Sequence, residues 1–141
     1  MTKVLTIGTF DTPHIGHASL FKRASEYGEL VVGVNSDEFV ERYKNRSPLY
    51  SFDERAELIR SLGYEVAKNE SAGRELINQV QPDLIVIGSD WLRKNYLEQI
   101  DVTDDYLDQN EISLMYIPYT QGISSTDIKR RCEGRNSSND Q

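Results

Sequence analysis

The sequence predicts an α/β fold, a Rossmann-like three-layer sandwich with about five parallel strands and helices on both faces. Three observations predict it. Short apolar, often β-branched runs recur along the 141 residues, three of them stopped by Gly8, Gly88 and Pro118. The stretches between them repeat apolar residues at helical spacing. Strand-like and helix-like segments alternate, as they do when crossover helices cover a parallel sheet.

The first run, residues 4–8, ends on Gly8 and reads as a buried strand. After a polar loop with Pro13, Ala18, Leu20, Phe21 and Ala24 recur at helical spacing. Residues 30–34 form a second buried strand. Ser36 is placed to cap a helix that carries Phe39, Val40 and Tyr43, with Asp37 and Glu38 in its first turn. Residues 44–50 read as a loop with Pro48. Ser51-Phe52-Asp53-Glu54 then matches a capping box and opens a helix with Leu58, Ile59 and Leu62 on one face, ended by Gly63. Residues 64–67 are a weak strand, 74–80 a helix with Leu76, Ile77 and Val80, and 84–88 the clearest buried strand. Residues 92–110 are partly helical and very acidic. Residues 114–117 are the last strand, stopped by Pro118, and Ser124 or Ser125 caps a final helix through Arg131. One domain is expected over 1–132, followed by a polar tail, 133–141, expected to be disordered.

Composition narrows the function. Hydrophobic residues make up 38% and charged residues 28%, an ordinary globular balance. No apolar run approaches the roughly 20 residues of a membrane span. The N-terminus enters a strand-like run and does not read as a signal peptide. Cys132 is the single cysteine and has no internal partner, which fits a reducing, cytoplasmic compartment. The formal charge of −7 argues against nucleic acid or an anionic membrane as partner.

In a doubly wound sheet, ligands bind beyond the carboxyl ends of strands where the strand order reverses. After the first strand stands Gly8-Thr9-Phe10-Asp11-Thr12-Pro13-His14-Ile15-Gly16-His17, with both histidines of the chain flanking a glycine at a helix start. Helix N-termini attract phosphate, imidazoles donate hydrogen bonds to it, and Gly16 permits close backbone approach. A zinc site, with Asp11 as a further ligand, and a plain pair of surface histidines are the alternatives on spacing alone.

These residues resemble the signature of the cytidylyltransferase-like nucleotidyltransferases. Thr120-Gln121-Gly122-Ile123-Ser124-Ser125-Thr126 is similar to that superfamily's second signature, and Gly88-Ser89-Asp90-Trp91 to a segment of its glycerol-3-phosphate cytidylyltransferases. The three matches stand in the right order over about residues 3–131. The resemblance implies in-line transfer of a nucleoside monophosphate from CTP to a small phosphorylated alcohol, with release of pyrophosphate. An adenylyltransferase using ATP with a nucleotide or sugar-phosphate acceptor is the alternative, since Ile123 to Arg130 is also similar to adenylyl-transferring relatives. A non-catalytic nucleotide-binding module is a third.

The resemblance also implies roles. His14 and His17 contact the phosphates and stabilise the transition state. Lys44 and Arg46 clamp phosphates, and Arg55 holds phosphate or the loop; without the motifs these three would read as a solvated basic turn and a helix salt bridge. Gly8, Thr9, Phe10, Asp11 and Gly16 line the first loop. Asp90 and Trp91 lie beside the nucleoside, with Trp91 as core filler the competing reading. Ser124, Ser125 and Thr126 form a second phosphate cradle that is also an N-cap, with Lys129 adding charge, and Tyr119, Thr120, Gly122 and Ile123 belong to the same nucleotide-binding turn. The family turn begins with Arg where this chain has Tyr119, and the segment 64–82 is shorter than in the glycerol-3-phosphate enzymes. Magnesium is expected with the nucleotide, on phosphate oxygens and without named protein ligands. A homodimer is expected.

The charge then changes meaning. Residues 97–111 carry Glu98, Asp101, Asp104, Asp105, Asp108 and Glu111 and no Lys or Arg, leaving −1 for the rest of the chain. The acidity belongs to one excursion, and the expected phosphate-binding residues lie outside it.

Overall fold

In the computed structural model, residues 2–11, 15–88 and 96–117 are described, the side chains of 15 and 16 excepted. The elements run β1 (Lys3–Gly8), α1 (Ile15–Ser25), β2 (Glu29–Asn35), α2 (Asp37–Lys44), α3 (Phe52–Ser61), β3 (Glu65–Asn69), α4 (Arg74–Val80), β4 (Leu84–Gly88), α5 (Tyr96–Gln99), α6 (Asp104–Gln109) and β5 (Ser113–Ile117). The expected final helix and polar tail lie outside the described residues.

All five strands are parallel, in the order β3-β2-β1-β4-β5. From β1 the chain builds outward through β2 and β3, then returns to add β4 and β5 on the other side. The order therefore reverses between β1 and β4, and the crevice lies beyond Gly8 and Gly88.

Successive strand residues point to opposite faces, and both faces are covered. Val4, Val32 and Val86 pack with Leu20, Phe21, Ala24 and Ile59, so α1 and α3 lie on one face. Leu5, Val31 and Ile85 pack with Leu76, Ile77, Tyr96, Ile100 and Leu107, so α4, α5 and α6 lie on the other. The acidic excursion belongs to this second layer. It buries Tyr96, Ile100, Val102, Leu107 and Ile112 while Glu98, Asp101, Asp104, Asp105, Asp108 and Glu111 remain exposed. Burial pushes the Tyr96 phenol above its ordinary range, so it stays neutral in this layer.

The expected caps form. Ser36 Oγ accepts from Phe39 N at 3.1 Å. At α3, Ser51 Oγ accepts from Glu54 N at 3.2 Å, and Glu54 Oε1 accepts from Ser51 N at 3.0 Å, a complete capping box. Replacing Ser51 with alanine is expected to lower stability by about 1 kcal/mol in chemical denaturation, because Glu54 N then loses its side-chain acceptor.

Two expectations about helix faces need correction. Leu58 and Leu62 are 46% and 48% exposed, whereas Arg55, Ala56 and Ile59 are buried. The inward stripe of α3 runs through Phe52, Arg55, Ala56 and Ile59 at helical spacing, and Leu58 falls off it. Leu62 is the C-cap, beyond the last regular turn. In α2, Phe39 and Val40 are buried but Tyr43 is 40% exposed.

Candidate active site

The site is built around the loop that leaves β1. Gly8 ends the strand where a Cβ would come within 2.8 Å of the Phe10 ring, so only glycine lets the chain fold back this tightly. Phe10 turns the chain in the left-handed region, at φ 53°. Its ring enters the core between two others, edge-on to Phe21 at 5.2 Å and to His17 at 5.3 Å. Phe10 therefore serves the site from below: its side chain supports the His17 ring, while its backbone shapes the loop.

Asp11 closes the loop onto the basic segment. Its carboxylate accepts from two successive backbone amides, Leu49 N at 2.7 Å and Tyr50 N at 2.9 Å. This use of Asp11 differs from a metal ligand. The other end of the segment is held by α2, whose C-cap Asn45 lies in the left-handed region at φ 58° and donates its N–H to Glu41 O at 2.9 Å. Ser47 Oγ donates to Glu41 Oε2 at 3.1 Å. Lys44 and Arg46 stand exposed on this pinned loop. Lys44 Nζ lies 5.7 Å from the Tyr43 ring centroid, and among the described residues neither Lys44 nor Arg46 forms an ion pair. Asp11→Ala is expected to speed hydrogen exchange at the Leu49 and Tyr50 amides about tenfold or more, because each loses a charged acceptor worth about 1.5–3 kcal/mol.

Arg55 ties the same pieces together from inside. Its side chain is fully buried. Nε donates to Tyr50 O at 3.0 Å, Nη1 to Thr9 O at 2.7 Å and to Asn35 O at 2.8 Å, and Nη2 to Asp37 Oδ1 at 2.7 Å. Of the two roles expected for Arg55, this geometry is that of holding the loop. One guanidinium joins the ends of β1 and β2, the start of α2 and the end of the basic loop.

Three residues at the site were not singled out from sequence. Asn35 Nδ2 donates to Thr9 Oγ1 at 3.0 Å, Asn69 Nδ2 donates to Asn35 Oδ1 at 2.8 Å, and Thr9 Oγ1 lies 2.8 Å from the Tyr43 hydroxyl. The available signal was a polar residue closing an apolar strand, as Asn35 does after 30–34.

His17 lies in the first turn of α1, beside the loop that holds Thr9, Phe10 and Asp11. Gly16 precedes it in the same turn. His14, Asp90, Trp91, Tyr119, Thr120, Gly122, Ile123, Ser124, Ser125, Thr126 and Lys129 lie outside the described residues. Among the described residues no group of three or more His, Cys, Asp or Glu is placed to hold a metal ion. No helix among them is long and apolar enough to cross a membrane.

The chain resembles known proteins over nearly its whole length. Residues 5–131 match the family described as cytidylyltransferase-like. The chain is 36% identical over 139 residues to a glycerol-3-phosphate cytidylyltransferase of Bacillus subtilis (strain 168), covering 95% of this chain and 99% of that one. It is 42% identical over 99 residues to the bifunctional protein HldE of Helicobacter pylori (strain HPAG1), a match spanning 67% of this chain and 21% of that longer protein. Among solved structures it resembles a lipopolysaccharide core biosynthesis protein from Thermoplasma volcanium GSS1. That likeness has a TM-score of 0.63 and 24% identity, covering 86% of this chain and 99% of the other; at that identity it speaks for the fold.

Proposed function

The chain belongs to the cytidylyltransferase-like family, and from that premise we propose that it joins the cytidylyl group of CTP to a small phosphorylated alcohol such as glycerol 3-phosphate, giving a CDP-alcohol and pyrophosphate. The chain is a nucleotidyltransferase. The choice of CTP and of this acceptor class is carried by one observation, the near full-length similarity to a glycerol-3-phosphate cytidylyltransferase.

In this reading a phosphate oxygen of the acceptor attacks the α-phosphorus of the nucleotide. A new P–O bond forms there, the bond to the β-phosphate's bridging oxygen breaks, and pyrophosphate leaves with the electron pair. The attacking phosphate is already an anion, so no general base is needed. The remaining demand is positioning and neutralisation of charge on the transferring group. His14 and His17 donate hydrogen bonds to the phosphates as charge develops. Lys44 and Arg46 clamp phosphates from the pinned loop. Asp90 and Trp91 lie beside the nucleoside, and the turn Tyr119 to Thr126, with Lys129, forms the second cradle. Magnesium enters as part of the nucleotide substrate, on phosphate oxygens. The active species is a homodimer, which sedimentation tests.

Each nucleoside triphosphate is to be incubated with a panel of phosphorylated alcohols, sugar phosphates and nucleotides, scoring pyrophosphate release. Turnover with CTP and an alcohol phosphate is the expected result. Turnover with ATP and none with CTP overturns the choice of nucleotide in favour of the adenylyl reading.

A further inference from the structure

Asn35 and Asn69 close β2 and β3 at their carboxyl ends, and they are 4% and 1% exposed. Burial of an amide side chain is unfavourable unless its hydrogen bonds are made, and here they are made in one direction. Asn69 Nδ2 donates to Asn35 Oδ1 at 2.8 Å, and Asn35 Nδ2 donates to Thr9 Oγ1 at 3.0 Å. Both asparagine backbones are held as well: Asn35 O accepts from Arg55 Nη1 at 2.8 Å, and Asn69 O from Ser36 N at 2.8 Å. The row ends at Tyr43, whose hydroxyl lies 2.8 Å from Thr9 Oγ1.

Counting protons gives the row a polarity. The Thr9 and Tyr43 hydroxyls carry two protons between them, and their mutual bond uses one. Asn35 donates to Thr9, so it does not take up the other. The pair is left with one O–H to offer outward, beyond the carboxyl end of β1. Were the Asn35 amide reversed, its Oδ1 would accept that proton and the pair would have none to offer. In the arrangement present, the bond from Asn69 Nδ2 to Asn35 Oδ1 favours the donating orientation of Asn35 toward Thr9. A phosphate oxygen only accepts hydrogen bonds, so a pair kept in the donor state is complementary to it.

We propose that Asn69 and Asn35 are positioning residues that keep the Thr9–Tyr43 pair a hydrogen-bond donor to a phosphate oxygen of the substrate. This rests on the phosphate-transfer reading above and extends it to two buried residues that need not touch substrate.

The test is Asn69→Asp alone, together with a double-mutant cycle of Asn69→Ala and Thr9→Val. A carboxylate at 69 turns Asn35 Nδ2 toward itself and Asn35 Oδ1 toward Thr9, consuming the Thr9 proton. Affinity for inorganic tripolyphosphate is measured by calorimetry on the full chain, and KM and kcat with whichever nucleoside triphosphate the wild type turns over. Asn69→Asp and Thr9→Val are each expected to weaken tripolyphosphate binding about tenfold, and Asn69→Asp to raise KM for the nucleotide or the acceptor by a similar factor with kcat within about twofold. The double variant that pairs Thr9→Val with Asn69→Ala, which adds no charge near the phosphate, is expected to bind no more weakly than Thr9→Val alone, because Asn69 acts through Thr9. Should Asn69→Asp fail to fold, Asn69→Ala replaces it, with a roughly threefold effect. Unchanged affinity in the Asn69 variants, additive losses, or no tripolyphosphate binding by the wild type overturns the relay. A wild type that binds tripolyphosphate but releases pyrophosphate with no nucleotide overturns the transfer reaction instead.

Discussion

His17→Ala is expected to lower kcat at least about 100-fold, with circular dichroism and thermal unfolding close to wild type, and His14→Ala to do the same. The magnitude is that of removing one preorganised donor from a site of developing negative charge, about 2.7–4 kcal/mol. Preorganisation is what the geometry around His17 supplies. Its backbone sits in the first turn of α1, and its ring meets the Phe10 ring at right angles with 5.3 Å between centroids. Phe10 is in turn fixed against Phe21 in the core. The chain Phe21–Phe10–His17 connects the hydrophobic layer to the carboxyl end of the sheet, which is the support the proposed donor needs. The folding core beneath His17 does not depend on the imidazole, because Leu20, Phe21 and Ala24 anchor α1 independently. Loss of turnover should therefore appear without loss of the fold. A variant that retains turnover within tenfold of wild type removes His17 from the transition state.

Much of this arrangement was legible from residue patterns, and the exceptions have physical causes. The strands could be read because both faces of the sheet are covered, so 4–8, 30–34 and 84–88 are continuous apolar runs. The caps could be read because Ser36 and Ser51 act on amides three residues away. Asp11 and Arg55 were picked out, but the partners of Asp11 are amides 38 and 39 residues distant, and no local pattern encodes such a contact. The face of α3 is hidden from the sequence for a related reason. Leu58 and Leu62 look like core residues, yet a buried arginine takes the inward position at 55. Hydrophobic periodicity has no means of finding a charge whose burial is offset by carbonyl groups brought from three other segments. Asn35 and Asn69 are illegible likewise, since their partners, Thr9 and each other, are 26 and 34 residues distant in sequence.

Arg55→Met is expected to lower stability by about 3 kcal/mol, because three carbonyl acceptors lose a charged donor, while Asp37, about a third exposed, is left to water. The substitution keeps much of the aliphatic volume and deletes the donors. Thr9 O, Asn35 O and Tyr50 O each lose a guanidinium N–H, and Asp37 loses its cation. Arg55→Lys should recover little of this. One ammonium on a flexible stem cannot reproduce a planar fork that reaches a carboxylate and three carbonyls. The consequence for activity follows from where those acceptors stand. Thr9 leaves β1, Asn35 ends β2, Asp37 starts α2, and Tyr50 ends the loop that carries Lys44 and Arg46. Without Arg55 the loop keeps its Asp11 tether, its α2 cap and the Ser47–Glu41 bond but loses its link to the strand ends, so the two cations no longer hold a fixed distance from the Thr9 loop. KM for the phosphate substrates should then rise at temperatures where the variant is still folded. Chemical denaturation together with steady-state kinetics below the unfolding transition separates the two effects. Full stability with depressed kcat and unchanged KM would place the guanidinium on the reacting phosphate, and the loop-holding role would fall. Lower stability with raised KM is the signature of an arginine that acts through the loop it holds.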